Sequence, residues 1–428
     1  MINKIKNVIA SDLIKVFSFT GLSTLVKLIT SYVTVKVVAS IIGPSGIALI
    51  GQLQNFVAII TTVGAGGINN GVVKYVSEYK DDEDELQKYL RNGLKITIYL
   101  SFFVGILLIV TSQYLGKWIL LDNKYSYIFV FFGVCLFLLS LNNYFLSILN
   151  GFKEFRRFVI LNIITSIIGL IFTVSLVLMY HIKGALIATV SYQSVVLFFT
   201  IFYLRRSPWF KINILWGQWN KDIVKKYLSY SLMALVSAAT LPVSQLIVRG
   251  FIIKNFSMDA AGYWEGMNRI SALYLMFITT SFSVYYLPRL SEIKEKHLLK
   301  REIVKVYKII TPIISGSLLL IFLLKDLLIT FLFSKEFYPM IDFFLWQLIG
   351  DFFKIMSWIL AFIMVAKSMT KLYIITEIIF SLLFVGLSVL FINYFGVIGV
   401  TQAYCLNYFL YFLTMTFIFR KLLFNKIL

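Results

Sequence analysis

A chain of 428 residues that is 59% hydrophobic and only 14% charged lacks the charge to cover a soluble domain of that length, and its mean hydropathy of +0.86 points to a polytopic membrane protein. The net charge of +20 would suit nucleic acid, but the basic residues lie mostly in short loops between apolar segments, a pattern of membrane orientation that leaves no nucleic acid partner. Cys135 and Cys405 both fall inside apolar segments and read as reduced packing residues, with neither a disulfide nor a metal site expected.

The polar start MINKIKNVIASDLIK shows no cleavable signal pattern and runs into a first span at 16–39. There, GLSTLVKLITSYVTVK places Ser23, Lys27, Thr30, Ser31 and Thr34 on one polar stripe, with Lys27 near mid-depth. A lysine there costs roughly 2.5–3.5 kcal/mol unless it meets water or a partner, so the stripe is expected to line a hydrated cavity, whereas Lys36, nearer the end, is expected to snorkel.

The second span, 46–76, ends on GAGGINNGVVKYVSEY. Gly66, Gly67 and Gly71 weaken the helix there, and Asn69, Asn70 and Lys74 are untenable facing lipid. This end is expected to act as a cytoplasmic gate. The acidic run DDEDE at 81–85 is expected to be a solvated inner loop.

Spans at 94–115, 126–149, 158–180 and 184–204 complete a first half, and a long basic loop around 205–226 follows. Span seven, 227–252, carries Pro242, Gln245 and Arg249; the arginine is either a cavity residue or an interface anchor. Span eight, 260–288, holds Trp264, Glu265 and Arg269, where the i, i+4 pair is either an internal ion pair or a substrate contact. Its end, FITTSFSVYYLPRLSEI, is expected to break at Pro288, giving the second half its own gate. After a connection near 289–304, spans follow at 305–324, 340–366, 372–393 and 397–419. Span ten presents Gln347, Asp351, Lys354 and Trp358 on one face. Span eleven holds Glu377, which has no evident local partner and is expected to couple transport to an ion gradient, while Asp351 either shares that role or is simply paired with Lys354 one turn away.

With the N-terminus placed in the cytoplasm, Lys117, Lys124, Lys183, Lys254, Lys325 and Lys335 lie outside and Lys27, Lys36, Arg249, Arg269 and Lys354 lie within spans, leaving 29 of the 40 Lys and Arg inside. Both termini are therefore expected in the cytoplasm. A weak repeat near 215 residues pairs Gly184 with Gly399 and Ser77-Glu78 with Ser291-Glu292. The expected fold is an all-α integral membrane protein of about twelve transmembrane helices in two pseudo-symmetric six-helix lobes around a central cavity. The N-terminal lobe takes 1–210, a cytoplasmic loop 211–226, and the C-terminal lobe 227–428. No GxxxxGK[ST] and no HExxH occurs, so an enzyme, a cofactor and an ATP site of that type are not expected.

The block STLVKLITSYVTVKVVASIIGPSGIALIGQLQNF with GAGGINNGVVKYVSEY, and later ITTSFSVYYLPRLSEI and WQLIGDFFKIMSW, resembles the Wzx-type lipid-linked oligosaccharide flippases of the O-antigen and enterobacterial common antigen pathways. These are members of the multidrug/oligosaccharidyl-lipid/polysaccharide exporter superfamily. The resemblance covers nearly the whole chain. It implies an inner-membrane protein that moves an undecaprenyl-pyrophosphate-linked oligosaccharide from the cytoplasmic to the periplasmic leaflet by alternating access, with polysaccharide polymerase or assembly proteins as further partners. It also implies a cationic cavity, carried here by Lys27, Lys74, Arg249 and Lys354 as pyrophosphate ligands. The residues themselves agree: a pyrophosphate needs several cations in a low-dielectric space. Trp264, Gln52, Asn55 and Trp358 would meet the sugars, with Asn69, Asn70, Glu265 and Arg269 completing the cavity. The rival readings are an ion-coupled drug or small-molecule exporter on the same fold, disfavoured by the net basic mid-membrane charge, and a membrane scaffold that transports nothing.

Overall fold

The computed structural model describes residues 2–152, 154–205, 207, 209 and 219–424; most of the predicted inter-lobe loop, 211–218, lies outside the described residues. All regular structure among them is helical, as expected of an apolar chain whose backbone must satisfy its own hydrogen bonds in lipid.

Helix α1 (Ile2–Gly64) is two arms merged at Gly43, whose φ of 65° lies in the left-handed region. Residues 65–68 interrupt the helix before α2 (Asn69–Tyr79). Next come α3 (Glu83–Val110), the short α4 (Ser112–Ile119) and a 3-10 turn at Asn123–Tyr125, then α5 (Ser126–Gly151). Helix α6 (Phe155–Leu204) reverses at His181, where φ is 47° and ψ is −127°. Helix α7 (Lys221–Asn255) runs through Pro242. Helix α8 (Met258–Ser281) passes through a π turn at Phe282–Tyr286 into α9 (Leu287–Glu292). The remainder is α10 (Lys296–Leu323), α11 (Lys325–Leu332), a 3-10 stretch at Lys335–Phe343, α12 (Phe344–Ala366), α13 (Thr370–Phe395), a 3-10 turn at Gly396–Ile398, α14 (Gly399–Ile418) and α15 (Arg420–Phe424).

Among the described residues, eight helices are long and apolar enough to cross a membrane. Three of them, Ser23–Gly64, Arg156–Leu204 and Thr370–Ile418, contain a reversal. At 1.5 Å per residue, a run of 49 residues is more than twice the roughly 30 Å of hydrocarbon. Each therefore supplies two spans. Helix α8 adds the twelfth, long enough but carrying Asp259, Glu265 and Arg269.

Three boundaries differ from the sequence expectation. The acidic run is not a loop: Asp82 caps α3, its carboxylate accepting from the Glu85 N–H at 3.0 Å, and Glu83, Asp84 and Glu85 form the first turn, where acidic side chains oppose the helix dipole. The connection expected at 289–304 is mostly helix, because α9 and α10 leave only 293–295 between them. Pro288 does not break its helix. The chain stays helical through it, and the regular α ladder is interrupted instead by the π turn at Phe282–Tyr286 just ahead.

The chain divides into two compact units: Met1–Ile41 with Gln52–Ala239, and Ile42–Gly51 with Thr240–Leu428. In the first, α3 and α5 meet through paired glycines; a Cβ on Gly105 would lie 2.6 Å from the Gly133 carbonyl oxygen, and one on Gly133 2.5 Å from that of Gly105. Hydrogen bonds join the same bundle, from Tyr144 to the Leu90 carbonyl at 2.5 Å and from Thr200 to Asn142 at 2.7 Å. In the second unit, Gly350 lets α12 lie against Tyr404 and Cys405 of α14, and Gly262 of α8 fits under the Pro44 carbonyl. Cys135 and Cys405 are buried thiols.

The halves share an element order. A third helix, a short helix, a 3-10 stretch and a fourth helix run in sequence at 83–151 and again at 296–366. The tight returns also correspond: a Cβ on Gly184 would lie 1.9 Å from the Leu176 oxygen, and one on Gly399 2.2 Å from that of Phe391.

Candidate functional site

Two polar clusters lie inside the second unit, both built around α8. In one, Arg249 of α7 is fully enclosed and its Nη2 donates to Glu265 Oε2. Arg269, one turn beyond Glu265, donates from Nε to Glu265 Oε1 at 3.1 Å. The Arg249 guanidinium stands 5.4 Å from the centre of the Trp264 ring. Lipid-depth charges are tolerable only in such company. Helix α1 contributes Gly51, where a Cβ would sit 2.6 Å from the Glu265 carboxyl carbon; only a bare backbone fits there. The i, i+4 pair foreseen in α8 is thus an ion pair, and Arg249, expected on an open cavity or at an interface, is its enclosed third member.

The other cluster surrounds Asp351, also fully buried. Its carboxylate accepts from Ser271 at 2.7 Å, from Tyr404 at 2.7 Å and from Tyr274. Gln347 donates to Ser271 at 3.3 Å. Lys354 makes no direct ion pair with Asp351, although the Asp351 carboxylate one turn away is within electrostatic range of it. Its ammonium donates to Tyr404 at 3.1 Å and stands between three rings, 5.3 Å from Trp358, 5.4 Å from Tyr404 and 4.9 Å from Tyr408. Glu377 of α13, which the sequence leaves without a neighbour, comes within electrostatic range of Lys354. Ser271, Tyr274, Tyr404 and Tyr408 were not foreseen as site residues. Hydroxyls and aromatics at helical spacing look like packing, and only the Asp351 carboxylate reveals their purpose.

The remaining candidates belong to the first unit. Lys27 is exposed on α1. The hydroxyls of its stripe turn back on the helix: Thr30 donates to Val26 O at 2.9 Å and Thr34 to Thr30 O at 2.7 Å. Gln52 is buried, while Asn55 Nδ2 and Asn69 Oδ1 are buried atoms without a hydrogen-bond partner. Asn70 and Lys74 are exposed, Lys74 lying 5.0 Å from the Tyr75 ring. Gly66 and Gly67 both take left-handed φ, 70° and 64°, and Gly67 presses on the Ser231 backbone, where a Cβ would come 2.9 Å from the carbonyl oxygen. Gly71 is buried in α2.

Residues 13–294 match the model of a family described as polysaccharide biosynthesis protein. The chain belongs to that family. It is 29% identical over 409 residues to the lipid III flippases of Escherichia coli (strain K12) and of Shigella flexneri, covering 94% of this chain and 96% of each relative. Its fold is that of a multidrug resistance MATE family transporter of the MOP superfamily solved in an inward-facing conformation, with a TM-score of 0.78 over 93% of this chain and 98% of the other at 14% identity. This family member is therefore an all-α, multi-pass membrane protein of the MOP architecture.

Proposed function

We infer that this chain is a flippase for a lipid-linked oligosaccharide, moving an undecaprenyl-pyrophosphate-linked repeat unit of the O-antigen or enterobacterial common antigen type across the inner membrane. The observation that carries the reading is end-to-end similarity to the lipid III flippases. Buried and exposed cations inside an otherwise apolar helical protein suit a diphosphate. The protein acts as a transporter and not as an enzyme. It works by alternating access between halves of six spans, 1–210 and 227–428, with both termini in the cytoplasm. Lys27, Lys74 and Arg249 are its anion ligands, Gln52, Asn55, Asn69, Asn70, Trp264 and Trp358 its sugar-facing residues, and Asp351 with Glu377 its coupling carboxylates. Gly66, Gly67 and Gly71 form the gate, and the delivered product ties the protein to polymerase or assembly partners.

The test is a deletion strain. It is expected to accumulate the undecaprenyl-pyrophosphate oligosaccharide in the cytoplasmic leaflet; normal periplasmic delivery without this chain would sink the reading. The orientation is checked with an impermeant thiol reagent, which from the periplasm should label a cysteine placed at Asn123 and not one placed at Asp82.

A further inference from the structure

We propose that Glu265 is an internal anion that occupies the arginines meant for the diphosphate, so that substrate binding requires its displacement. The proposal rests on the flippase reading above and concerns how the anion site of the second unit is kept while empty.

The geometry carries it. Two guanidiniums share one carboxylate, each taking a separate oxygen, Arg249 on Oε2 and Arg269 on Oε1. A bridging diphosphate offers the same kind of acceptors to the same pair of donors, with more charge and more oxygens. The same stretch of α8 carries two further donors. Trp264 Nε1 and Asn268 Nδ2, on the same turns of α8, are buried and have no hydrogen-bond partner. An unsatisfied buried donor is costly, and one reason to retain two of them is a ligand that satisfies them in another state.

Exposure is graded in the order that exchange needs. The Arg269 side chain is 17% exposed, Glu265 10%, and Arg249 not at all. An incoming diphosphate meets Arg269 first, loosens the Oε1 bond and only then competes for Arg249. Without Glu265 two buried like charges would stand uncompensated, which favours opening or unfolding. With it, the site stays folded and selective, because only a ligand of higher charge displaces a carboxylate already in place. Gly51 adds a readout. Helix α1 rests on the Glu265 side chain through that glycine, so departure of the carboxylate releases a contact on the second arm of α1 and gives substrate a mechanical effect on that helix.

The experiment measures binding of undecaprenyl diphosphate to the full-length protein in nanodiscs, with undecaprenyl monophosphate as the weaker competitor. Glu265→Gln keeps the shape and removes the charge. It is expected to bind the diphosphate about tenfold tighter while transport in cells falls, since release is slowed. Glu265→Asp keeps the charge but is one methylene too short to span both arginines, and it is expected to bind several-fold tighter. It decides the matter if the glutamine variant does not fold. Wild-type binding with both folded variants equal or weaker overturns the proposal and makes Glu265 a structural or sugar-contacting residue. Absence of diphosphate binding in wild type and variants alike overturns the flippase reading and this proposal with it.

Discussion

Lys27 and Arg249 sit on the first helix of their respective halves, and the fold treats them in opposite ways. Lys27 projects from α1 as an exposed side chain, and the nearby Thr30 and Thr34 hydroxyls bond back to carbonyls of their own helix. Arg249 is wholly enclosed, with a carboxylate on one side and an indole face on another. A cation of the first kind depends on water or ligand for its solvation. A cation of the second kind is solvated by the protein, and its removal is felt by the fold. Similar charges on corresponding helices can therefore serve substrate in one case and architecture in the other, with substrate reaching the second only by exchange.

The contrast breaks most visibly at Arg249. Arg249→Ala leaves Glu265 buried beside Arg269 alone, and removal of one member of a buried ionic set costs about 3–5 kcal/mol. A lowered thermal unfolding midpoint in detergent and low membrane yield are expected; a wild-type midpoint would show that Arg249 is not structural. Gly67→Ala comes next. The left-handed φ penalises any side chain by roughly 1–2 kcal/mol, and the Ser231 backbone leaves no room. Transport should fall along with stability, whereas loss of transport at an unchanged midpoint would give the glycine a purely dynamic role.

Lys27→Ala sharpens the comparison from the other side. The midpoint is expected to stay within about 0.5 kcal/mol of wild type, as for an exposed substitution, while transport is lost and Lys27→Arg retains part of it. A clear stability loss would mean that Lys27 has a structural partner after all. The smallest effect belongs to Asp82→Ala, which removes an N-cap worth about 1 kcal/mol. Slight fraying at the start of α3, read by hydrogen exchange, is expected with transport intact.

Much of the chain could be read before any packing was known. The twelve spans and the reversals near residues 181 and 396 are local properties. The Gly-rich interruption after residue 64 is another, because left-handed φ is written into the glycines themselves. Where the reading slipped, a local rule had a competitor. Acidic residues at 81–85 suggested a loop, but they also suit a helix N-terminus. Pro288 suggested a break, but the chain stays helical there and the interruption is a π turn just before it.

The sequence by itself determined how many helices cross, where they turn back and which carry charge, because hydrocarbon thickness, helix rise and backbone satisfaction act on neighbouring residues. Only the tertiary structure decided what those charges meet. Arg249 and Glu265 are 16 residues apart, Asp351 lies 80 from Ser271 and 53 from Tyr404, and the Lys354 ammonium stands among three aromatic rings. Such partners depend on the rotation and close approach of whole helices, set by glycines and side-chain volumes across an interface, and no periodicity within a single helix encodes them.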